Sequence, residues 1–332
     1  MPRELIIPQK LKAGDTIRVV SPSRSAAIID GEVTQIARER FEALGLKVTF
    51  SENAYHVFDE DYMCASVDER VSDLRAAFSD DDVKAIFTIV GGFNVNQILD
   101  KLDYDLIRSH PKILCGFSDI TALSTAIYAK TGLQTYSGPH FSSFGMKKGF
   151  DYSLEYFKRL LMADDETELL PSADWSNDHW HRDQENRDMI RNDDYEIYRP
   201  GTAEGTIIGG NLCTLNLLQG TEYFPDDDNL ILFVEDDCFS GKEFLREFDR
   251  DLQSLLHALK GRKINGVVFG RAEKVSEMTL DKWHCLIRNK PELNDIPVII
   301  NANFGHTTPI FTFPIGGHCR IENGKIYIRK EK

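Results

Sequence analysis

Three polar residues stand where apolar, strand-like runs of the sequence end, and they are the residue types that a serine hydrolase needs. Ser118 follows the run KILCGF, Glu235 follows LILFV, and His306 lies in NANFGHTTP after PVIIN. A serine hydroxyl is a weak nucleophile, so it needs a base, and a histidine base needs a carboxylate that orients it. Because strand carboxyl ends form the ligand side of open α/β folds, these positions predict a Ser-His-Glu hydrolase.

The segment CGFSDITAL places Ser118 between a strand and a helix. Backbone amides from Asp119 onward would form the unsatisfied N-terminus of that helix, where they can stabilise an oxyanion. The segment lacks the G-x-S-x-G pattern of a nucleophile elbow, and serine is also a favoured N-cap residue. A capping role for Ser118, a solvated charge at Glu235 and an ordinary loop histidine at His306 are the alternative interpretations.

Motifs for nucleotide cofactors and for zinc proteases are missing from the sequence. It contains no G-x-x-x-x-G-K-[ST], no G-x-G-x-x-G and no H-E-x-x-H. His179 and His181 lie near Asp178 and Asp183, but their spacing matches no closed zinc site, so a solvated polar loop is the favoured interpretation. We therefore predict neither a metal nor a cofactor.

The elements that position the three residues follow from the hydrophobic pattern. In the first half, the strand-like runs TIRVVSPS, KVTF, AIFTIV and KILCGF alternate with amphipathic helical segments. Such alternation predicts a parallel sheet with helices on both faces. The second half, from about Gly201, is richer in strands and ends in a hairpin at Asn323-Gly324, a dipeptide typical of type I′ turns. The predicted class is α/β with a β-rich C-terminal part.

A break in this pattern suggests the domain boundary. Residues 163–199 contain twelve acidic and four basic residues and two of the three tryptophans, Trp175 and Trp180, with weak hydrophobic periodicity. We predict an N-terminal domain at 1–162, a connecting loop at 163–199 and a C-terminal domain at 200–332. Long loops are usually functional or disordered, and the tryptophans favour function.

Composition limits the possible partners and the compartment. The 332 residues carry a formal net charge of −14, which disfavours nucleic-acid polymers as partners. No apolar run approaches the roughly 18 residues of a membrane span, and the N-terminus lacks the apolar region of a secretory signal. The six cysteines are scattered without a C-x-x-C pair, which favours reduced thiols and a cytoplasmic protein.

Several motifs resemble those of the LD-carboxypeptidase family of serine peptidases. They are GDTIRVVSPS, the pair VGGFN and GFSDITAL, the pair IIGGNL and LFVED, and NFGHTTPIFTFPIG, in the family's order over nearly the whole chain. The branch containing the microcin C immunity proteins is the most similar, because DWSNDHWHRDQENR occupies the place of that branch's tryptophan-bearing loop. The resemblance implies a Rossmann-like N-terminal domain, a β-rich C-terminal domain and commonly a homodimer.

The resemblance also implies roles for individual residues. Ser118 matches the family's nucleophile, Glu235 its acid and His306 its base. The remaining implied positions are an oxyanion hole formed by the backbone amides of Gly91, Gly92 and Asp119, and substrate contacts at Trp180 or, as second choice, Trp175, and at Asn211. Loop packing for the tryptophans and turn stabilisation for Asn211 are the structural alternatives.

One departure from the family pattern bears on the substrate. Val90 precedes the glycine pair where murein-cleaving carboxypeptidases carry arginine, which favours the immunity-like branch. The leading hypothesis is a cofactor-free serine hydrolase that cleaves an amide-type bond in aminoacyl or peptidyl nucleotides such as processed microcin C. The alternatives are an LD-carboxypeptidase that removes the terminal D-alanine of murein tetrapeptides, and a non-catalytic ligand-binding protein of the same fold.

Overall fold

The computed structural model describes residues 4–329, which form two large sheets, one two-stranded sheet and flanking helices. The strands are β1 Thr16–Val20, β2 Lys47–Phe50, β3 Val83–Thr88, β4 Ile113–Gly116, β5 Thr135–Ser137, β6 Thr167–Glu168, β7 Asp174–Trp175, β8 Ile190–Arg191, β9 Glu196–Arg199, β10 Thr202–Asn211, β11 Leu230–Glu235, β12 Ile264–Gly270, β13 Val298–Ala302, β14 Phe313–Ile315, β15 His318–Glu322 and β16 Lys325–Ile328. The α-helices are α1 Gly31–Ala43, α2 Val67–Ser79, α3 Tyr104–Ser109, α4 Ile120–Thr131, α5 Asp151–Leu161, α6 Leu212–Asn216, α7 Phe244–Ala258 and α8 Leu280–Arg288.

The N-terminal sheet has the order β14-β5-β4-β3-β1-β2. Strands β1 to β5 are parallel, as the strand–helix alternation predicts, and β3 is apolar and buried along most of its length because helices cover both faces. Helix α2 begins with a capping box in which the Ser66 hydroxyl accepts from the Glu69 amide and the Glu69 carboxylate accepts from the Ser66 amide. The predicted parallel N-terminal domain is confirmed.

The C-terminal sheet has eight strands in the order β6-β16-β15-β10-β11-β12-β13-β9. Its centre, β10 to β13, is parallel, and the outer strands are antiparallel. Asn323 and Gly324 join β15 to β16 with φ values of 51° and 91°, as a type I′ turn requires. The β-rich C-terminal domain is confirmed, with the addition that its central strands are parallel.

The two halves of the chain interlock, so the sequence boundaries and the sheets do not coincide. Strand β14, from the C-terminal half, pairs antiparallel with β5 and completes the N-terminal sheet. The segment 163–199, predicted as a connecting loop, contains β6 and β9, which pair with the C-terminal sheet, and the hairpin strands β7 and β8. What remains irregular is mainly the stretch between β7 and β8, residues 176–189, called the β7–β8 loop below.

Hydrophobic cores pack on the faces of both sheets. Phe41, Phe87, Phe144 and Phe157 form one aromatic cluster beneath the N-terminal sheet, with ring centroids 4.1 to 6.3 Å apart. Helices α7 and α8 cover the C-terminal sheet through apolar faces that include Phe248. Within residues 4–329, every helix is too short or too polar to span a bilayer.

Candidate active site

Ser118 lies in the turn between β4 and α4, at the carboxyl edge of the N-terminal sheet. Its φ is 60°, a left-handed conformation that costs a non-glycine residue about 1–3 kcal/mol and is common at functional sites. Gly91 lies against it: a Cβ at position 91 would be 3.1 Å from the Ser118 Cβ and 3.2 Å from its Oγ. A side chain at position 91 would therefore press on Ser118, and glycine there lets the backbone turn lie close to the hydroxyl.

The three residues predicted from strand ends are joined by hydrogen bonds. The His306 Nε2 lies 3.0 Å from the Ser118 Oγ, and its Nδ1 lies 2.8 Å from a Glu235 carboxylate oxygen. Gly305, with φ of 101°, permits this approach, because a Cβ there would be 2.3 Å from the same Glu235 oxygen. The geometry is that of a nucleophile, a base and an orienting carboxylate.

The environment of His306 favours the protonated imidazole. Burial lowers the pKa of His306, but the charge and the hydrogen bond of Glu235, with smaller contributions from Asp237 and Glu273, outweigh it and raise the pKa to about 9. The Glu235 carboxylate is 4% exposed, so little solvent screens the pair. The arrangement therefore stabilises the imidazolium form of His306.

The backbone amides predicted to form an oxyanion hole lie close to Ser118: Asp119 follows it in the chain, and Gly91 and Gly92 line the same cavity. Within the described residues, the N–H groups of Gly91, Gly92 and Asp119 donate no hydrogen bond to another protein group. The Asp119 side chain, by contrast, is buried, and its Oδ2 accepts from the Ser23 hydroxyl at 2.6 Å and from the amides of Asn94 and Val95 at 2.9 and 3.0 Å. The turn that carries Gly92 is thus fixed to the helix that begins behind Ser118.

Sequence reasoning missed a second histidine in the site. His140 is 3% exposed, its Nδ1 lies 2.8 Å from the Thr88 hydroxyl, and its Nε2 has no partner among the described residues. Burial, the neighbouring His306 and Arg24 lower the pKa of His140 to about 3, so it stays neutral at physiological pH. His140 comes three residues after β5, and the strand-end signal used for Ser118 would have identified it.

Two cavities share five lining residues: Phe117, His179, His181, Glu273 and His306. The larger, about 460 Å³, contains Ser118, Gly91 and Gly92. The smaller, about 170 Å³, is lined by Trp180 and by other residues of the β7–β8 loop. A ligand that reaches Ser118 can therefore extend along His306 to the Trp180 ring.

The other two predicted substrate contacts line neither the cavity of Ser118 nor that of Trp180. Trp175 lines a third cavity, which shares Glu273 with both of them, and its ring centroid lies 4.7 Å from the Arg271 guanidinium. Asn211 is 1% exposed, caps α6 by accepting from the Thr214 amide, and donates to Asp236 at 2.9 Å. These contacts are of the structural kind named as alternatives for Trp175 and Asn211, and Trp180 likewise packs, partly buried, against the N-terminal core. The substrate contacts of all three residues stay predictions.

Possible metal ligands are occupied by protein contacts. Of the acidic loop residues near His179 and His181, Asp178 is paired with Arg187 at 2.7 Å. In the described part of the chain, Cys213, Asp236 and Asp237 offer ligand atoms within 4.8 Å of one another. Both Asp236 oxygens already accept hydrogen bonds, from Asn211 and from the amides of Cys213 and Asp237.

Comparison with known proteins identifies related sequences over nearly the whole chain. Residues 17–138 match the LD-carboxypeptidase N-terminal domain and residues 204–321 the LD-carboxypeptidase C-terminal domain. "Putative carboxypeptidase YocD" of Bacillus subtilis (strain 168) is 53% identical over 94% of this chain and 95% of its own length. "Probable murein peptide carboxypeptidase" of the same organism is 30% identical over 96% of this chain and 92% of its own.

Solved structures agree with this assignment. An MccF-like protein from Bacillus anthracis superposes with a TM-score of 0.96 at 50% identity, covering 98% of this chain and 100% of its own. The microcin C7 self-immunity protein MccF in complex with aspartyl sulfamoyl adenosine superposes with a TM-score of 0.87 at 28% identity, covering 98% and 99%.

Proposed function

The chain belongs to the LD-carboxypeptidase family of serine peptidases, and from this premise we propose that it hydrolyses aminoacyl or peptidyl nucleotides. The bond cleaved is the amide-type bond between the acyl group and the nucleotide, as in processed microcin C, and the role is detoxification or self-immunity. The related protein MccF binds aspartyl sulfamoyl adenosine, an acyl group joined to a nucleoside.

The observation that carries this proposal is the position of Trp180 relative to the nucleophile. Its cavity and that of Ser118 share Phe117, Glu273 and His306, so one elongated ligand can occupy both. An indole ring stacks on any nucleobase, and base–aromatic stacking contributes about 1–3 kcal/mol. A carbonyl at Ser118 with a base at Trp180 is the arrangement of an acyl nucleotide.

In the proposed acylation step, neutral His306 accepts the Ser118 hydroxyl proton as the oxygen attacks the acyl carbonyl. Glu235 holds the imidazole by its Nδ1–H and stabilises the resulting imidazolium. The amides of Gly92 and Asp119, with Gly91 as the alternative donor of that turn, bind the oxyanion. His306 then protonates the departing nitrogen of the nucleotide part.

In the second step, water hydrolyses the acyl-enzyme. His306, neutral again, takes a proton from the water as its oxygen attacks the Ser118 ester, and the same amides bind the second oxyanion. Collapse of this intermediate returns the proton to Ser118 and releases the carboxylic acid. Every proton in the cycle passes through His306, so no metal is required.

The experiment compares two substrates on the wild-type protein and on Ser118→Ala. We expect hydrolysis of an aminoacyl sulfamoyl adenosine in preference to the murein tetrapeptide L-Ala-γ-D-Glu-meso-diaminopimelate-D-Ala, and a loss of about 10³-fold or more in Ser118→Ala. Near-wild-type turnover by Ser118→Ala would overturn the mechanism. Preference for the tetrapeptide would favour the murein carboxypeptidase, for which the 30% identical Bacillus subtilis relative argues.

Quaternary structure and compartment complete the proposal. We expect a homodimer, as the family resemblance implies, to be tested by light scattering of the purified protein. We also place the protein in the cytoplasm, in keeping with six cysteines that are all unpaired in the structure. The location is tested by expressing the protein in cells and measuring their resistance to an acyl-nucleotide toxin that acts inside the cell.

A further inference from the structure

Arg24 lies beside the glycine turn of the active site. It follows β1, lines the same cavity as Ser118, and its Nε–H points to the Gly91 carbonyl oxygen at 3.4 Å. Its stem packs against Gly92, where a Cβ would be 3.0 Å from the Arg24 Cγ. Arg24 thus lines the cavity of Ser118 with its side chain held against the glycine turn.

The Arg24 charge has no counterion in the protein. Within residues 4–329, no carboxylate lies within ion-pair distance of this half-buried side chain. The two carboxylates that line this cavity with Arg24 accept hydrogen bonds from other groups: Glu273 from the Asn177 side-chain amide and the Cys238 backbone, and Asp237 from the Phe239 backbone. Glu235, outside this lining, binds His306. A half-buried cation without a partner is unfavourable, so the site is electrostatically incomplete without an anion.

The field of Arg24 extends to both sides of the nucleophile. Burial chiefly lowers the pKa of His140, and His306 and Arg24 lower it further. Burial, His179, Arg182 and Arg24 lower the pKa of His181, which lies next to Trp180. Arg24 is therefore close enough to act on groups at the Ser118 end and at the β7–β8 loop end of the combined cavity.

We propose that Arg24 binds the anionic group of the substrate that is attached next to the scissile carbonyl. Guanidinium presents a planar fork of donors that matches phosphoryl and carboxylate oxygens, and Arg24 lines the cavity of Ser118, where the phosphoryl group of an acyl nucleotide would lie next to the scissile carbonyl. The terminal carboxylate of a peptide has the same chemistry. Position 90, next to the glycine turn, is valine and carries no charge. Arg24, from another loop, thus supplies a positive charge at this turn.

The inference rests on the proposed hydrolysis and is tested with paired substrates. The two members of each pair share their acyl group and differ in whether the group after the scissile carbonyl is anionic or uncharged. The first pair is an aminoacyl adenosine phosphoramidate and the corresponding aminoacyl p-nitroanilide. The second is a tetrapeptide and its C-terminal amide. In Arg24→Met we expect kcat/KM to fall about 10- to 100-fold for the anionic member, mainly through KM, and a few-fold at most for the neutral one. Arg24→Lys, which keeps the charge without the fork, recovers part of the loss.

Arg246→Met is the matched control, because it also removes one positive charge but lies at the surface, 79% exposed and paired with Glu243. Equal losses on both members of a pair, or no loss on the anionic one, would overturn the inference. The pair that shows the selective loss identifies the anion as phosphoryl or carboxylate.

A parent enzyme that cleaves neither anionic substrate refutes the proposed function instead. Arg24 is then judged by calorimetric binding of adenosine monophosphate and of a D-alanyl peptide to Ser118→Ala. Binding weakened tenfold or more by Arg24→Met supports the anion site. Binding that Arg24→Met leaves unchanged, or no binding by Ser118→Ala itself, overturns the anion site.

Discussion

The Asp119 carboxylate accepts a hydrogen bond from the Asn94 backbone N–H, with 2.9 Å between the Asn94 nitrogen and Asp119 Oδ2. This contact joins the two segments that carry the proposed oxyanion hole. The same oxygen accepts from the Val95 amide and the Ser23 hydroxyl. Asp119 therefore contributes twice: its amide borders Ser118, and its side chain fixes the segment that follows Gly92. A displacement of Asn94 relative to Asp119 would break a buried hydrogen bond.

Replacing Asp119 should weaken binding of the transition state more than binding of the substrate. In Asp119→Ala the Asn94 and Val95 amides lose their acceptor, so we expect kcat to fall about 10- to 100-fold and the free energy of unfolding by roughly 2–4 kcal/mol. The diagnostic measurement is inhibition by an acyl boronic acid, which forms a tetrahedral adduct with Ser118 and should bind correspondingly more weakly.

Two further variants separate positioning from stability. Asp119→Asn retains an oxygen that can accept the same donors, so it should recover most of kcat, and Ser23→Ala, which removes one donor of three, should have a smaller effect. A boronate affinity unchanged in Asp119→Ala would show that the network stabilises the fold without shaping the oxyanion hole.

The raised pKa of His306 predicts an alkaline pH optimum. Only the neutral imidazole can accept the Ser118 proton, and the pKa of His306 is about 9. We therefore expect kcat/KM to increase with pH up to about 9 and then to level off. In Glu235→Gln the loss of the carboxylate charge should lower the pKa of His306, shift this limb to lower pH and reduce kcat about 10³-fold or more.

Asp237→Asn is the control for this shift, since Asp237 acts on His306 through its charge without a hydrogen bond between them. In Asp237→Asn we expect the rise of kcat/KM with pH to move to lower pH as well, but by less than in Glu235→Gln. Imidazole NMR spectra provide an independent reading, in which His306 titrates near 9 while His140 remains neutral down to about 3. A limb near 6.5 that Glu235→Gln leaves in place would contradict the assignment of His306 as the base.

The parts of the site that local sequence could predict are those set by strand ends. KILCGF and LILFV are apolar because buried parallel strands need no polar face, so Ser118 and Glu235, which follow them, had to lie at the carboxyl edge of a sheet. The Asn323-Gly324 turn was equally local, because both residues tolerate positive φ.

Long-range pairing could not be predicted in the same way. Phe313 of β14 pairs with Ser137 of β5, and β9 pairs with β13, and no nearby pattern specifies these antiparallel partners. The role of Asn211 was ambiguous for the same reason, since its side chain binds Asp236, 25 positions away. Arg24 gave no signal, because what distinguishes it is the lack of a counterion in three dimensions.

The two tryptophans of the acidic segment should differ in their effect on nucleotide substrates. Trp180→Ala removes the ring from the cavity next to His306, so we expect KM for an aminoacyl sulfamoyl adenosine to increase about 10- to 100-fold, with Trp180→Phe intermediate. Trp175→Ala, whose ring contacts Arg271 in another cavity, serves as the matched control and should change KM a few-fold at most. A larger increase in KM in Trp175→Ala than in Trp180→Ala would show that Trp175, and not Trp180, binds the nucleobase.

The β7–β8 loop that carries Trp180 should depend on a buried ion pair for its order. The Arg187 side chain is 3% exposed, lies 2.7 Å from Asp178 and donates to the Thr308 hydroxyl at 3.1 Å, so it joins the loop to the segment after His306. Arg187→Met would leave the Asp178 carboxylate half-buried without its partner, a loss that typically costs about 3–5 kcal/mol.

We expect this loss to appear as local opening rather than global unfolding. Hydrogen exchange at residues 176–189 should accelerate at least tenfold in Arg187→Met while α7 stays protected, and KM for nucleotide substrates should increase with little change for the p-nitroanilide. Lys148→Met is the control, because it removes the exposed pair with Glu185, which contributes at most about 1 kcal/mol. Unchanged exchange in Arg187→Met would mean that the loop is held by its remaining contacts and that the ion pair does not position Trp180.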